Sequence, residues 1–234
     1  MTPTITHERF AQGMTFEEYV TYIGTPENLA REATGGGKRR DYSHFFAEAY
    51  RNARLNDYQI EALTRLASMR GGPAKMLVIS EDWSSDCRRD VPMFARIATV
   101  TGMEMRIFRR DGQKFSEAHV PSLEDAPDSN ADIMAQFLNH KNGDTWQSIP
   151  VAAFFTRDME YLYHYTEYPA IYEKDRLRGQ MTAPKPDETP DQTRDRSARE
   201  FQELQDSAYF RIWASAAVDE IVSALHRRMI LGAA

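Results

Sequence analysis

Met76-Leu77-Val78-Ile79 is an unbroken apolar run between Gly71-Gly72-Pro73 and the polar stretch that starts at Ser80. A run this short, bounded by turn signals, reads as a strand covered on both faces. Such a strand needs packed layers on either side, so the rest of the chain must supply helices. Residues 1–73 have that character. Thr15-Phe16-Glu17-Glu18 carries the spacing of a capping box, and Thr25-Pro26 pairs an N-cap with proline at the first helical position. Asp41 to Leu55 reads as a helix with Phe45, Phe46 and Tyr50 available for burial. Asn56 caps another, with an apolar stripe of Ile60, Leu63, Leu66 and Met69. Gly35-Gly36-Gly37-Lys38-Arg39-Arg40 lacks the spacing of a phosphate-binding loop and follows no strand, so it reads as a flexible basic loop.

Downstream of the apolar run, the stretch Ser80 to Pro92 opens a helix that extends to about Val100, with Gly102 as its stop. Met103 to Phe108 alternates as a second strand, and 109–130 is loop. Ala131 to His140 reads as a short helix burying Ile133, Met134, Phe137 and Leu138, followed by a turn at Asn142-Gly143-Asp144. Val151 to Phe155 is a buried strand entered through Ile149-Pro150, and Tyr161 to Tyr165 is its hairpin partner. Pro169 opens a last short helix with Ile171, Tyr172 and Leu177. The polar, proline-containing segment from Gln180 to Ser197 reads as a mobile linker. Beyond it, Phe201, Leu204, Ala208, Ile212, Ala216, Ile221, Leu225 and Met229 keep a helical spacing, and this amphipathic helix must dock on the body or on a second copy. The organisation is a helical region at 1–73, an α/β domain at 74–180, a linker at 181–197 and a C-terminal amphipathic helix at 198–234.

Composition narrows the function. The 234 residues suffice for one substantial core, and no run approaches the ~20 apolar residues that span a bilayer. The N-terminus lacks the apolar segment of a signal peptide, and a single cysteine excludes an intramolecular disulfide, so a cytoplasmic setting is expected. A net charge of −6 argues against nucleic acid as a partner. The histidines are scattered without metal-ligand spacing, and neither a metal nor a cofactor is expected. The chemistry therefore centres on Cys87. The amides and macrodipole at a helix N-terminus stabilise an anion, so a cysteine there can be a thiolate near neutral pH. A lone cysteine can equally serve as a small packing residue.

The order strand, helix, strand, helix, strand, strand, helix from 74 to 180 resembles the thioredoxin fold, and Trp83-Ser84-Ser85-Asp86-Cys87 resembles its W-C-x-x-C active-site turn. Two further features agree with the family. Pro92 stands five positions after Cys87, where thioredoxins carry a kink proline, and Ile149-Pro150 stands before a late strand, where they carry a cis-proline. The resemblance implies a mixed central sheet flanked by helices. It makes Cys87 and Ser84 the candidate catalytic residues, and Trp83, Ser85, Asp86, Ile149 and Pro150 the substrate-binding ones. Ile149 would pair through its backbone with an extended segment, with Trp146 nearby.

This sequence departs from the family at the first motif cysteine, which is Ser84. A serine forms no disulfide, so two-thiol exchange within one chain is excluded. The strand offers Val78 where the family buries an acidic group. Three readings follow. Cys87 acts alone, as in the T/S-x-x-C turn of peroxiredoxins, with Arg88 or Arg89 supporting a thiolate and a pKa well below ~8.5. Alternatively, the domain is redox-inactive and keeps the cis-proline groove as a protein-binding site. In the third, Ser84 is a replaced cysteine, and Ser84→Cys restores reductase activity. The expected partner is a protein thiol or an extended peptide, with no nucleic acid or membrane, and the added helices are candidates for homodimerisation.

Overall fold

The computed structural model describes residues 2–141 and 143–232. Its centre is a four-stranded sheet in the order β2-β1-β5-β6. Strand β1 (Lys75–Ser80) pairs in parallel with β2 (Glu104–Arg109) and antiparallel with β5 (Val151–Phe155), which pairs antiparallel with β6 (Tyr161–Thr166). Among the described residues, the only parallel pair is the one joined by a helical crossover, and β5 enters the opposite way. Met76 to Ile79 and all of β5 are fully buried, which explains why both segments are apolar without alternation.

Helix α6 (Ser85–Thr101) makes the β1–β2 crossover and ends at Gly102, whose positive φ of 71° terminates it in the left-handed region. Before β1 come α1 (His7–Ala11), α2 (Phe16–Ile23), α3 (Pro26–Leu29), a 3₁₀ turn (Thr34–Gly36), α4 (Ser43–Asn52) and α5 (Asp57–Ser68). The capping boxes at Thr15–Glu18 and Asn56–Gln59 both form, and Thr25 with Pro26 starts α3. Phe46, Leu63 and Leu66 are buried as their spacing requires. Phe45 and Ile60 instead lie on the solvent side of their helices. The segment before α2 closes the sheet at β2, where Met14 and Ile107 exchange main-chain hydrogen bonds of 2.9 and 2.7 Å.

Three segments differ from the sequence reading. The helix expected over 131–140 stops early: α7 spans Ala131–Met134, and β3 (Asn139–Lys141) forms a hairpin with β4 (Asp144–Trp146). Gly143, with φ 78°, supplies the turn that captures Asn139 to Lys141 as strand, while Asn142 lies outside the described residues. The expected helix start at Pro169 moves to α8 (Lys174–Thr182). Tyr172 is buried ahead of it and Ile171 is exposed. Most of the supposed linker is helical, because Thr189 and Gln192 form a capping box with Pro190 in the first turn of α9 (Pro190–Asp206). Ser207 is extended and separates α9 from α10 (Ala208–Leu231), so the stretch from 198 onward is two helices. Helix α10 packs through Ala217, Val218, Ile221 and Leu225 into the main core.

Candidate functional site

Ser84 is the N-cap of α6, its hydroxyl accepting the Cys87 N–H at 3.4 Å. A capping role requires a short polar side chain at this position and accounts for Ser84 without any redox function. Cys87 follows in the first turn and is fully buried. Burial pushes its thiol up to about 12, although the Glu81 amide and the Ser80 and Ser84 hydroxyls favour the thiolate. The expectation of a depressed pKa is therefore corrected: loss of solvation outweighs the helix-terminus amides in a site closed to water. Arg88 and Arg89 do not serve the sulfur either. Arg88 donates to the carbonyls of Asp82 and Trp83 at 3.1 and 2.8 Å and to Gln205 Oε1 of α9 at 3.0 Å. Arg89 binds Asp86 at 2.8 Å and Asp90 at 2.6 Å.

Asp86 was among the expected site residues, but the buried carboxylate–arginine network to which it belongs was not legible in the sequence. Val78 occupies the family's acidic strand position, as read, yet Glu81, Asp82, Asp86 and Asp90 are all buried around the turn. Each has an arginine. Glu81 is held by Arg31 and Arg39, both at 2.7 Å, and Asp82 by Arg39. Arg39 belongs to the supposed flexible basic loop. Instead its guanidinium is completely enclosed, because two adjacent carboxylates in a dry site require a counter-charge. Asp90 also accepts from the Tyr165 hydroxyl at 2.8 Å. Burial raises Asp90 to about 6, offset in part by Arg89 and Tyr165.

The Ile149–Pro150 peptide bond is cis, at the entrance to β5. Among the described residues, neither the N–H nor the C=O of Ile149 has a main-chain partner. Trp83 is half-buried, edge-on to Phe115 at 5.5 Å, with Arg110 over its ring at 5.2 Å. Arg110 also donates to the Gln147 carbonyl at 3.1 Å, so it ties Trp83 to the cis-proline loop. Trp146 packs on His119 with ring centroids 5.1 Å apart. Ser84, Asp86 and Ile149 are all buried, and Ser85 is half-buried.

Lys174, the first residue of α8, reaches across this region. Its ammonium pairs with Asp86 of the turn and lies 3.5 Å from Glu167 Oε1. Glu167 in turn accepts from Ser148, next to the cis-proline loop, at 2.9 Å. One lysine thus joins the two halves of the site, and nothing in its local sequence marks it. Among the described residues, no group of three or more His, Cys, Asp or Glu could hold a metal ion, and no helix is long and apolar enough to cross a membrane.

A parallel β-α-β unit continued by an antiparallel hairpin, with a helix-capping turn facing a cis-proline, defines a thioredoxin-like fold. The thioredoxin family model matches residues 37–120, which supports a thioredoxin-like superfamily assignment for that part of the chain. The matched stretch includes α4 and α5 and ends before the cis-proline loop. Among solved structures, a protein of unknown function from Pseudomonas aeruginosa is similar at 14% identity and a TM-score of 0.50, covering 95% of this chain and 98% of that one. An HIV epitope-scaffold is similar at 15% identity and a TM-score of 0.50, covering 98% of this chain and all of the other. At these identities the likeness is one of fold alone. No curated protein matches the chain in sequence.

Proposed function

We propose that this chain is a redox-silent thioredoxin-like module that binds an extended protein segment along the cis-proline edge. The observation that carries the reading is the complete burial of Cys87, with its thiol pushed up to about 12 beneath a serine in the first motif position. A thiol in that state offers almost no nucleophile at neutral pH. The main-chain groups of Ile149, without partners among the described residues, support a binding role. Donors and acceptors of that kind suit strand-type pairing with an extended peptide.

The test has two arms. The native protein is treated with iodoacetamide and, separately, with hydrogen peroxide between pH 7 and 9, and Cys87 modification is followed by mass spectrometry. At pH 8, moving a thiol pKa from ~8.5 to about 12 lowers the thiolate fraction by roughly three orders of magnitude. Modification within tenfold of the rate for the urea-unfolded chain would overturn the silent reading. In the second arm, extended peptides selected from a display library on wild-type protein are measured against Cys87→Ala and Trp83→Ala. Equal affinity for Cys87→Ala and a loss for Trp83→Ala support the module, whereas dependence on Cys87 refutes it.

A further inference from the structure

The hairpin of α8 and α9 lies over the site in a way that distinguishes it from the other added helices. Helix α8 has no buried residue, and α9 buries only Arg196 and Ser197. Helix α10, by contrast, inserts seven buried residues. Internally the hairpin is well tied. Arg196 binds Glu188 at 2.6 Å and Glu200 at 3.1 Å, and it donates to the carbonyls of Met181 and Ala183, both at 2.8 Å. Its attachment to the body is mostly polar. It includes Lys174 on Asp86 and Glu167, Asp175 on Lys141 at 3.0 Å and on the Tyr168 hydroxyl at 3.1 Å, Gln205 on Arg88 at 3.0 Å, and the partly buried Leu177 and Leu204. A unit clasped within itself and held from outside by ion pairs is suited to detach as one body.

We propose that α8–α9 is an autoinhibitory strap, in which Lys174 acts as a built-in ligand across the cleft between the Ser84 turn and the cis-proline loop. Detachment leaves Asp86 without its ammonium partner, while Glu167 keeps Lys141 at 3.0 Å, so the segment that replaces the strap carries a lysine or arginine opposite Asp86. Arg89 remains on Asp86 in the open form and limits the exposed negative charge. This inference rests on the binding-module reading for its purpose. The opening itself does not depend on that reading.

Hydrogen exchange of the full-length protein tests the opening first. Amides of α8 and α9 should exchange at least tenfold faster than those of β1 and β5, and faster again in 1 M than in 0.1 M NaCl, because screening weakens the more exposed Lys141–Asp175 pair. Lys174→Met should accelerate exchange in α8–α9 by a further tenfold or more while β1 and β5 stay unchanged, and Lys174→Arg should restore the wild-type pattern. Exchange of the strap at the same rate as the sheet, or uniform acceleration in Lys174→Met, would overturn the strap. The probe for the cleft is an extended hexapeptide, acetyl-Ala-Thr-Val-Lys-Val-Thr-amide. It should bind Lys174→Met at least tenfold more tightly than wild type, and Asp86→Asn in that background should remove the gain. A strap that opens without any gain in peptide binding refutes the exchange of ligands and the binding reading, and leaves the opening established.

Discussion

Arg31→Met tests the buried charge network most directly. The Arg31 side chain is 1% exposed and makes four hydrogen bonds: to the Gly112 carbonyl at 2.8 Å, Asn28 Oδ1 at 2.9 Å, and Glu81 Oε1 and the Asp111 carbonyl at 2.7 Å. Methionine fills much of the volume but leaves Glu81 with Arg39 as its one cationic partner, beside the Asp111 N–H at 2.9 Å, and deprives two buried carbonyls of a donor. Breaking a buried pair by removing one partner costs about 3–5 kcal/mol. At roughly 2–4 °C per kcal/mol for a chain of this size, the expected fall in Tm is about 6–20 °C. Calorimetry and urea titration at pH 7 measure it, with Arg9→Ala as the surface control. Arg9 and Asp132 are 24% and 37% exposed, so that pair should be worth no more than ~1 kcal/mol. The pH dependence adds an independent check. Burial works against the Glu81 charge, but Arg31 and Arg39 hold its carboxyl below the ordinary range. A lowered acid contributes stability above its unfolded pKa and loses it as pH falls. Arg31→Met should therefore flatten the acid limb of the stability curve. A loss under about 1 kcal/mol, with an unchanged acid limb, would refute the role assigned to the network.

Asp90→Asn should alter the pH profile with the opposite sign. An acid raised to about 6 contributes stability fully present below its unfolded pKa and lost as pH rises through 6, so wild type should lose up to ~3 kcal/mol from this group between pH 4 and 6.5. Urea midpoints across that range should show the component missing in the variant. Gly13→Ala should cost about 1–3 kcal/mol by thermal unfolding, since a Cβ there would stand 2.6 Å from the Phe108 ring and 2.8 Å from Arg106 Cβ. Ser84→Cys should give no disulfide reductase activity in a model-disulfide assay on protein verified as folded, because Ser84 is 7% and Cys87 0% exposed. Measurable turnover would revive the reading of Ser84 as a replaced cysteine.

The sheet was legible in the sequence because its strands announce themselves physically: Met76 to Ile79 and Val151 to Phe155 are apolar without alternation, and no other packing suits them. Capping chemistry made several helix starts equally visible. The same chemistry at Thr189-Pro190-Asp191-Gln192 was present but obscured by polar composition, which is how α9 came to read as linker. Thioredoxin likeness brought Ser84, Cys87 and Pro150 to one place, but it could not show whether the sulfur met water. That depends on Tyr19 and the added helices, which are distant in sequence, as well as on Ser80 nearby. The arginines were illegible for a similar reason. Arg31 and Arg39 look like solvated loop cations until Glu81 and Asp82 are placed against them, 50 and 43 residues away in the chain.

The Met14–Ile107 bridge has a consequence for synthesis. Its two partners lie 93 positions apart, so the segment that covers β2 leaves the ribosome long before β2 exists. Until about residue 110 has emerged, Phe10, Met14 and Phe16 have no sheet to rest on, and contacts of such long sequence separation form slowly. The order of synthesis therefore requires this N-terminal segment to wait for the strand it covers, and a pause in translation before Glu104 would leave its apolar side chains open to chaperones.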